Sequence, residues 1–123
     1  MYKRKLLNMV ILIIGMIVIF SCEYEKITYD APDPTVPVSY ATDIQPIWDK
    51  GCVGCHGVGE IPPDLTPENS YNALINEGFV DTAQPDQSVI YTKMATGGSM
   101  APYTNAYDAG LVLLWIQQGA KNN

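Results

Sequence analysis

Basic residues, histidine and cysteine are all scarce in this sequence, and each shortage narrows what the protein can do. Lysine and arginine number 7 against 13 acidic residues, which gives a net charge of −6 at pH 7. An acidic chain with no basic cluster beyond its first residues repels phosphate backbones, so nucleic-acid binding is disfavoured. No pair of carboxylates is spaced for acid–base catalysis, and no glycine-rich phosphate loop is present.

The single histidine and the three cysteines limit metal chemistry in the same way. A structural zinc site needs four nitrogen or sulfur ligands. Only Cys52, Cys55 and His56 lie together, and the third cysteine, Cys22, is distant in sequence. A zinc site is therefore disfavoured, and these three residues need another explanation.

No stretch alternates between apolar and polar residues as a strand would, so the sequence predicts an all-α fold. In the first helix Ile44, Ile47 and Trp48 form an apolar stripe, with Thr42 and Gln45 as a possible capping box. Thr66 and Pro67 are typical of a second helix start. The predicted later helices are short, and they run from Thr66 to Gly78, from near Pro85 to Thr96, and from near Asn105 to Gly119.

The N-terminus has the pattern of an export signal. Lys3, Arg4 and Lys5 precede an apolar run that ends at Ile19-Phe20-Ser21-Cys22. This ending resembles a bacterial lipobox, which implies a signal peptide at residues 1–21 and lipidation of Cys22. Residues 22–38 then form a proline-rich tether and residues 39–123 the domain. The alternative is an uncleaved membrane anchor; either way the domain lies outside the cytoplasm, and the lipid would hold it to a bacterial membrane facing the periplasm or the cell surface.

The sequence Cys52-Val53-Gly54-Cys55-His56 is the C-x-x-C-H pattern of covalent c-type haem attachment. Two thiols one turn apart can each add to one vinyl group of the porphyrin, and the adjacent imidazole can then reach the iron. A redox dithiol is favoured by a βαβ context that is absent here, and a disulfide across so short a loop has poor geometry. Haem c explains all three residues at once.

Around this motif the chain resembles the small class I cytochrome c domains that hold one haem. The resemblance covers Tyr40 to about Ala120 and includes the segments DIQPIWDKGCVGCH, SVIYTKM, GGSMAP and LLWIQQGA. It implies thioether bonds at Cys52 and Cys55, iron ligation by His56, and a few helices wrapped around the haem with the first and last crossing. Trp115 would lie near Ile47 or Trp48.

The same resemblance implies a methionine as the second axial ligand of the iron. Beyond the signal region the candidates are Met94 and Met100. Met94 falls on the inward face of a predicted helix, where core packing explains it. Met100 lies in a glycine-containing loop and is the expected ligand, although Ala101 separates it from Pro102 where the family often has proline directly. The expected backbone acceptor for His56 is the carbonyl of Pro62 or Pro63.

These expectations describe a one-electron carrier and not an enzyme, because two axial ligands leave no position for a substrate. Its partners would be redox proteins, and no small-molecule substrate or nucleic acid is expected. Two alternatives remain open. One is a haem-based sensor or ligand-binding domain with an open sixth site, and the other is a cytochrome subunit docked in a larger oxidoreductase complex.

Overall fold

The computed structural model describes residues 1–9 and 30–123. The predicted lipidation site at Cys22 and most of the predicted signal peptide lie outside these ranges. Residues 2–9 are helical, and no helix within the described ranges is long and apolar enough to cross a membrane. Residues 30–123 contain no strand, which confirms the all-α prediction. The α-helices are α1 (Gln45–Asp49), α2 (Ser70–Asn76), α3 (Val89–Met94) and α4 (Ala106–Gln117), with a π-helical turn at Tyr40–Ile44 and 3-10 turns at Pro85–Gln87 and Ala101–Tyr103.

The π-helical turn that leads into α1 is capped by Ser39. The Ser39 hydroxyl accepts a hydrogen bond from the Thr42 N–H (3.3 Å), and the Ser39 N–H donates to the Asp43 carboxylate (2.8 Å). This reciprocal arrangement satisfies amides that have no partner inside the helix. The predicted capping box at Thr42 and Gln45 is therefore wrong. Gln45 is buried instead, and its side-chain amide donates to Asp49 and to the Leu65 carbonyl.

An aromatic cluster joins the beginning of the domain to its end. Tyr40 lies 5.1 Å from Trp115 and 5.2 Å from Tyr71 between ring centroids, and Tyr71 and Trp115 are 6.4 Å apart. These tilted and edge-to-face arrangements are favourable for aromatic rings. Trp115 is only 1% exposed and donates its indole N–H to the Lys121 carbonyl. The π-helical turn thus packs against α4 at the centre of the core.

The last residues of the predicted tether pack against the domain. Residues 32–38, which we call the strap, lie against α4. Val38 is 5% exposed and belongs to the hydrophobic core. Gln118, just after α4, accepts a hydrogen bond from the Val38 N–H (2.8 Å) and donates one to the Val36 carbonyl (2.9 Å). Packing against the helices therefore begins before residue 39.

Candidate functional site

The C-x-x-C-H motif follows α1 as a continuation of its helical course. The Cys52 N–H donates to the Trp48 carbonyl (2.9 Å), and the His56 N–H donates to the Cys52 carbonyl (2.9 Å). These bonds wind the motif into consecutive turns that begin at the end of α1. Cys52 is half-buried and Cys55 exposed, and the two are not joined by a disulfide. Both sulfurs are thus free to react with a bound group.

The His56 ring is held by one hydrogen bond to the backbone. Its Nδ1 lies 2.9 Å from the Ile61 carbonyl oxygen. Since a carbonyl can only accept, Nδ1 carries the proton, and in the neutral ring Nε2 then has the lone pair that can bind a metal. The loop is fixed on both sides, because the Ile61 N–H donates to Cys55 (3.2 Å) and the Leu65 N–H to His56 (2.7 Å). The expected acceptor at Pro62 or Pro63 was wrong, and Ile61 takes this role.

An apolar cavity of about 410 Å³ connects the motif to the rest of the domain. Its walls come from the end of α1, from residues 51–65, from Phe79 and α3, and from residues 99–104, and its lining is predominantly apolar. The lining residues that carry the argument below are Trp48, Cys52, Cys55, His56, Ile61, Leu65, Phe79, Ile90, Lys93, Met94, Met100, Tyr103 and Thr104. The structure therefore brings both cysteines, the histidine and the expected methionine to one cavity.

Met100 reaches this cavity from a tight loop after α3. The Met100 N–H donates to the Lys93 carbonyl (2.8 Å), so the loop folds back on the last turn of α3. Gly98 makes this possible, because a Cβ there would overlap the carbonyls of Lys93 and Thr92. Met100 is half-buried, with its side chain at the cavity.

Met94 also lines the cavity, but from inside the core. It ends α3, is 5% exposed and belongs to the cluster of buried hydrophobic residues. Its packing there accounts for it without any role as a ligand. Met100 sits outside that cluster and has no comparable packing role, which favours it as the distal residue of the site.

A smaller cavity of about 340 Å³ adjoins the first at Cys52. Its lining includes Lys50, Asn105 and Asp108, and Lys50 Nζ lies 3.6 Å from the Asp108 carboxylate. Burial raises the pKa of the Cys52 thiol, and the nearby Asp108 carboxylate raises it further. Cys52 is therefore a protonated thiol at neutral pH, and its Sγ lies 3.8 Å from the Ile47 carbonyl.

Thr104 is a site residue that the sequence did not indicate. Its hydroxyl is buried without a hydrogen-bond partner, and it lines both cavities. An unpaired buried hydroxyl costs free energy unless something completes its hydrogen bond. Thr104 lies past the Met100 loop in no recognisable motif, so only the folded structure identifies it.

In residues 1–9 and 30–123, no three histidine, cysteine, aspartate or glutamate side chains converge to hold a metal ion. A metal at His56 would thus need donors of other kinds, such as a methionine thioether or a bound macrocycle. Comparison of the chain with protein-family models, with curated proteins and with solved structures found no match, so the interpretation of this site depends on its own residues.

Proposed function

We propose that the protein is a membrane-tethered c-type cytochrome with one covalent haem, which carries single electrons and has a class I cytochrome c fold. The observation that carries this proposal is the convergence of Cys52, Cys55, His56 and Met100 on one apolar cavity. The sequence motif concerns only three of these residues. Met100 lies far along the chain, and it reaches the same cavity through the packing of α3 and its loop.

The cavity fits a haem in size, polarity and donor chemistry. Its volume of about 410 Å³ falls within the ~300–1,000 Å³ of typical cofactor sites. The apolar walls suit a flat, largely hydrophobic macrocycle. The unpaired Thr104 hydroxyl offers a hydrogen bond to a polar substituent of the bound group. The His56 tautomer leaves Nε2 free for iron.

Each residue then has a distinct task. Cys52 and Cys55 would hold the haem by thioether bonds, while His56 Nε2 and the Met100 sulfur would hold its iron. When bound, the haem supplies reversible one-electron chemistry at its iron. Ligation by a histidine together with a methionine would favour the reduced iron. The hydrogen bond from His56 to Ile61 fixes the imidazole plane and raises its basicity.

This set of ligands supports electron transfer rather than catalysis. With His56 and Met100 both holding the iron, no place would remain for a substrate to bind it. We therefore propose redox proteins as the partners, and we place the domain outside the cytoplasm, held by a lipid at Cys22. The acidic surface suits a partner with basic groups around its own redox centre.

The test is the absorption spectrum of the protein produced together with a c-type haem assembly system. The wild type should hold covalent haem, show a methionine-to-iron charge-transfer band when oxidised, and resist carbon monoxide when reduced. Met100→Ala should lose the band and bind carbon monoxide. Met94→Leu is the matched control and should keep both properties of the wild type.

The outcomes separate the alternatives. Ready carbon monoxide binding by the wild type, with no charge-transfer band, would contradict the electron-carrier proposal and support a ligand-binding or sensor domain. Loss of the band in Met94→Leu alone would move the distal ligand to Met94. Absence of covalent haem would reject the proposal altogether.

A further inference from the structure

We propose that Lys93 binds the carboxylate end of the haem, with its ammonium group paired to a propionate at the rim of the larger cavity. A haem carries propionate carboxylates in addition to its vinyl groups, and attachment through Cys52 and Cys55 leaves those carboxylates free. This inference rests on the proposed haem site, and it assigns the recognition of the charged substituents to Lys93.

The lining of the larger cavity lacks the acidic residues that are common elsewhere in the chain. The whole sequence has 13 acidic residues against 7 lysines and arginines. Among the described residues that line this cavity, none is an aspartate or a glutamate, and Lys93 is the one lysine or arginine. In an acidic domain, a lining of this kind favours an occupant that carries negative charge.

The helix α3 places Lys93 at the rim of this cavity. Ile90 and Met94 line the cavity and are only 7% and 5% exposed, so they form its deep side. Val89 and Lys93 also line it, and both are exposed. Since residues four apart lie on the same face of a helix, α3 presents a buried apolar row and beside it an exposed row that ends at Lys93. This arrangement suits a group with an apolar ring and charged substituents on the solvent side.

The charge of Lys93 is not used elsewhere in the part of the chain that the structure describes. Within residues 1–9 and 30–123 the one ion pair joins Lys50 to Asp108. The contact that Lys93 makes in the fold is through its carbonyl, which accepts from the Met100 N–H (2.8 Å). The ammonium group is therefore available to a bound anion. Lys50 differs in both respects, because it is already paired and lines only the smaller cavity.

The chemistry of the haem places its carboxylates away from the attached cysteines. The vinyl groups and the propionates occupy opposite edges of the porphyrin. Cys52 lies where the two cavities adjoin, whereas Lys93 lines only the larger one. A carboxylate beside apolar walls is costly unless a cation or a hydrogen-bond donor compensates it. The aliphatic stem of a lysine can lie along such walls while its ammonium group stays at the water, so Lys93 fits this task.

The first experiment measures the reduction potential of the haem-containing protein. Lys93→Ala should lower the potential, because an uncompensated propionate stabilises ferric iron, and the ferric-to-ferrous ratio at a fixed ambient potential should rise several-fold. Lys93→Arg keeps the positive charge and should keep the wild-type ratio. Lys121→Ala is the matched control and should change the ratio much less, since it removes the same charge from an exposed lysine that lines neither cavity.

The second experiment observes the carboxylates directly by infrared spectroscopy. The haem is labelled with carbon-13 at its propionate carboxyl carbons, and the difference between labelled and unlabelled protein separates their bands from those of aspartate and glutamate. Lys93→Ala should shift at least one labelled carboxylate band. Lys121→Ala should leave the labelled bands at their wild-type positions. Alanine is a strong helix former and leaves the backbone bond to Met100 in place, so the variant at position 93 should keep its fold.

Identical labelled bands in the wild type and in Lys93→Ala would overturn the inference, whatever the potential does. An equal fall of the potential in Lys93→Ala and Lys121→Ala would also overturn it, because net charge alone would then explain the effect. The absorption spectrum of each sample is recorded first. Absence of covalent haem would reject the proposed function, whereas unaltered carboxylate bands on an intact haem would reject the role of Lys93 alone.

Discussion

The Tyr40 side chain is buried, and its hydroxyl is hydrogen-bonded inside the core. It donates to the Ser70 hydroxyl (2.7 Å), and Ser70 in turn donates to the Gln45 side chain. Burial raises the pKa of the Tyr40 phenol above its ordinary value of 10.0. The ionised form would place an unpaired charge among Trp115 and Tyr71, so the folded state favours the protonated form.

This shift predicts a specific alkaline instability. Because the pKa of Tyr40 is higher in the folded state, its contribution is fully present below pH 10 and is lost as pH rises through the raised value. Tyr40→Phe should cost about 1 kcal/mol near neutral pH through the lost hydrogen bond to Ser70. The difference from the wild type should shrink above pH 10.

Urea unfolding of the two proteins from pH 7 to pH 11 measures this effect. A difference that stays constant across the whole range would show that ionisation of Tyr40 does not affect folding. A difference that grows with pH would contradict the direction of the pKa shift.

The sequence predicts the role of His56 but not its hydrogen-bond acceptor. The motif indicates a ligand histidine because the residue types and their spacing carry the chemistry. Its hydrogen-bond acceptor is a backbone carbonyl, and every residue has one, so no residue type indicates which carbonyl is used. The choice of Ile61 follows from the loop path, which the bonds at Cys55 and Leu65 determine.

Among the elements, α4 contributes Asp108 to the smaller cavity and depends on its N-cap. The Asn105 side chain accepts from the Asp108 N–H (2.8 Å) and donates to the Asp108 carboxylate (2.9 Å). The same residue therefore starts the helix and positions the carboxylate that faces Lys50 and Cys52. Asp108 is 8% exposed, so an unsatisfied carboxylate there would be costly.

Asn105→Ala should lower the free energy of unfolding by about 1 kcal/mol, the usual cost of removing an N-cap side chain. Asn105→Ser keeps an acceptor at this position and should recover most of the loss. Thermal unfolding followed by circular dichroism measures both variants. Equal stability of the alanine and serine variants would show that the cap does not contribute.

The sequence predicts the type of each element better than the residues at which it begins and ends. The predicted helix ends at glycine are confirmed, because Gly78 (φ 79°) and Gly97 (φ 87°) follow α2 and α3 in the left-handed region. The predicted helix starts agree less well with the structure. Thr66 was expected to begin the second helix, but Asp64 binds its amide and hydroxyl in a turn, and α2 begins at Ser70. Several short polar side chains can accept a hydrogen bond from the same backbone amide, and the packing of the chain around them decides which of them does so.

For the whole molecule, the central cavity makes stability depend on what fills it. The cavity is open to solvent on one side, so its predominantly apolar walls meet water when nothing is bound, and covering them would contribute roughly 25 cal/mol per Å² of apolar surface. Haem would thus be a structural component of the fold as well as its redox centre.

We therefore expect the double variant Cys52→Ala, Cys55→Ala to lose most of its helical signal if it cannot retain haem. Far-ultraviolet circular dichroism, compared with the wild type at equal concentration, measures the loss. A haem-free variant with the helical signal and unfolding midpoint of the wild type would show that the walls close without a cofactor. The folding role of the haem would then be wrong.

The Gly98 backbone lies close to the last turn of α3, and this contact links the position of Met100 to that of the helix. The Met100 amide is bound to Lys93, and the Gly98 backbone lies against the carbonyls of Thr92 and Lys93. If the loop moves away from the cavity while α3 stays in place, this hydrogen bond is lost. The last turn of this six-residue helix would therefore help to keep the Met100 sulfur at the iron, and any side chain at position 98 would weaken that restraint.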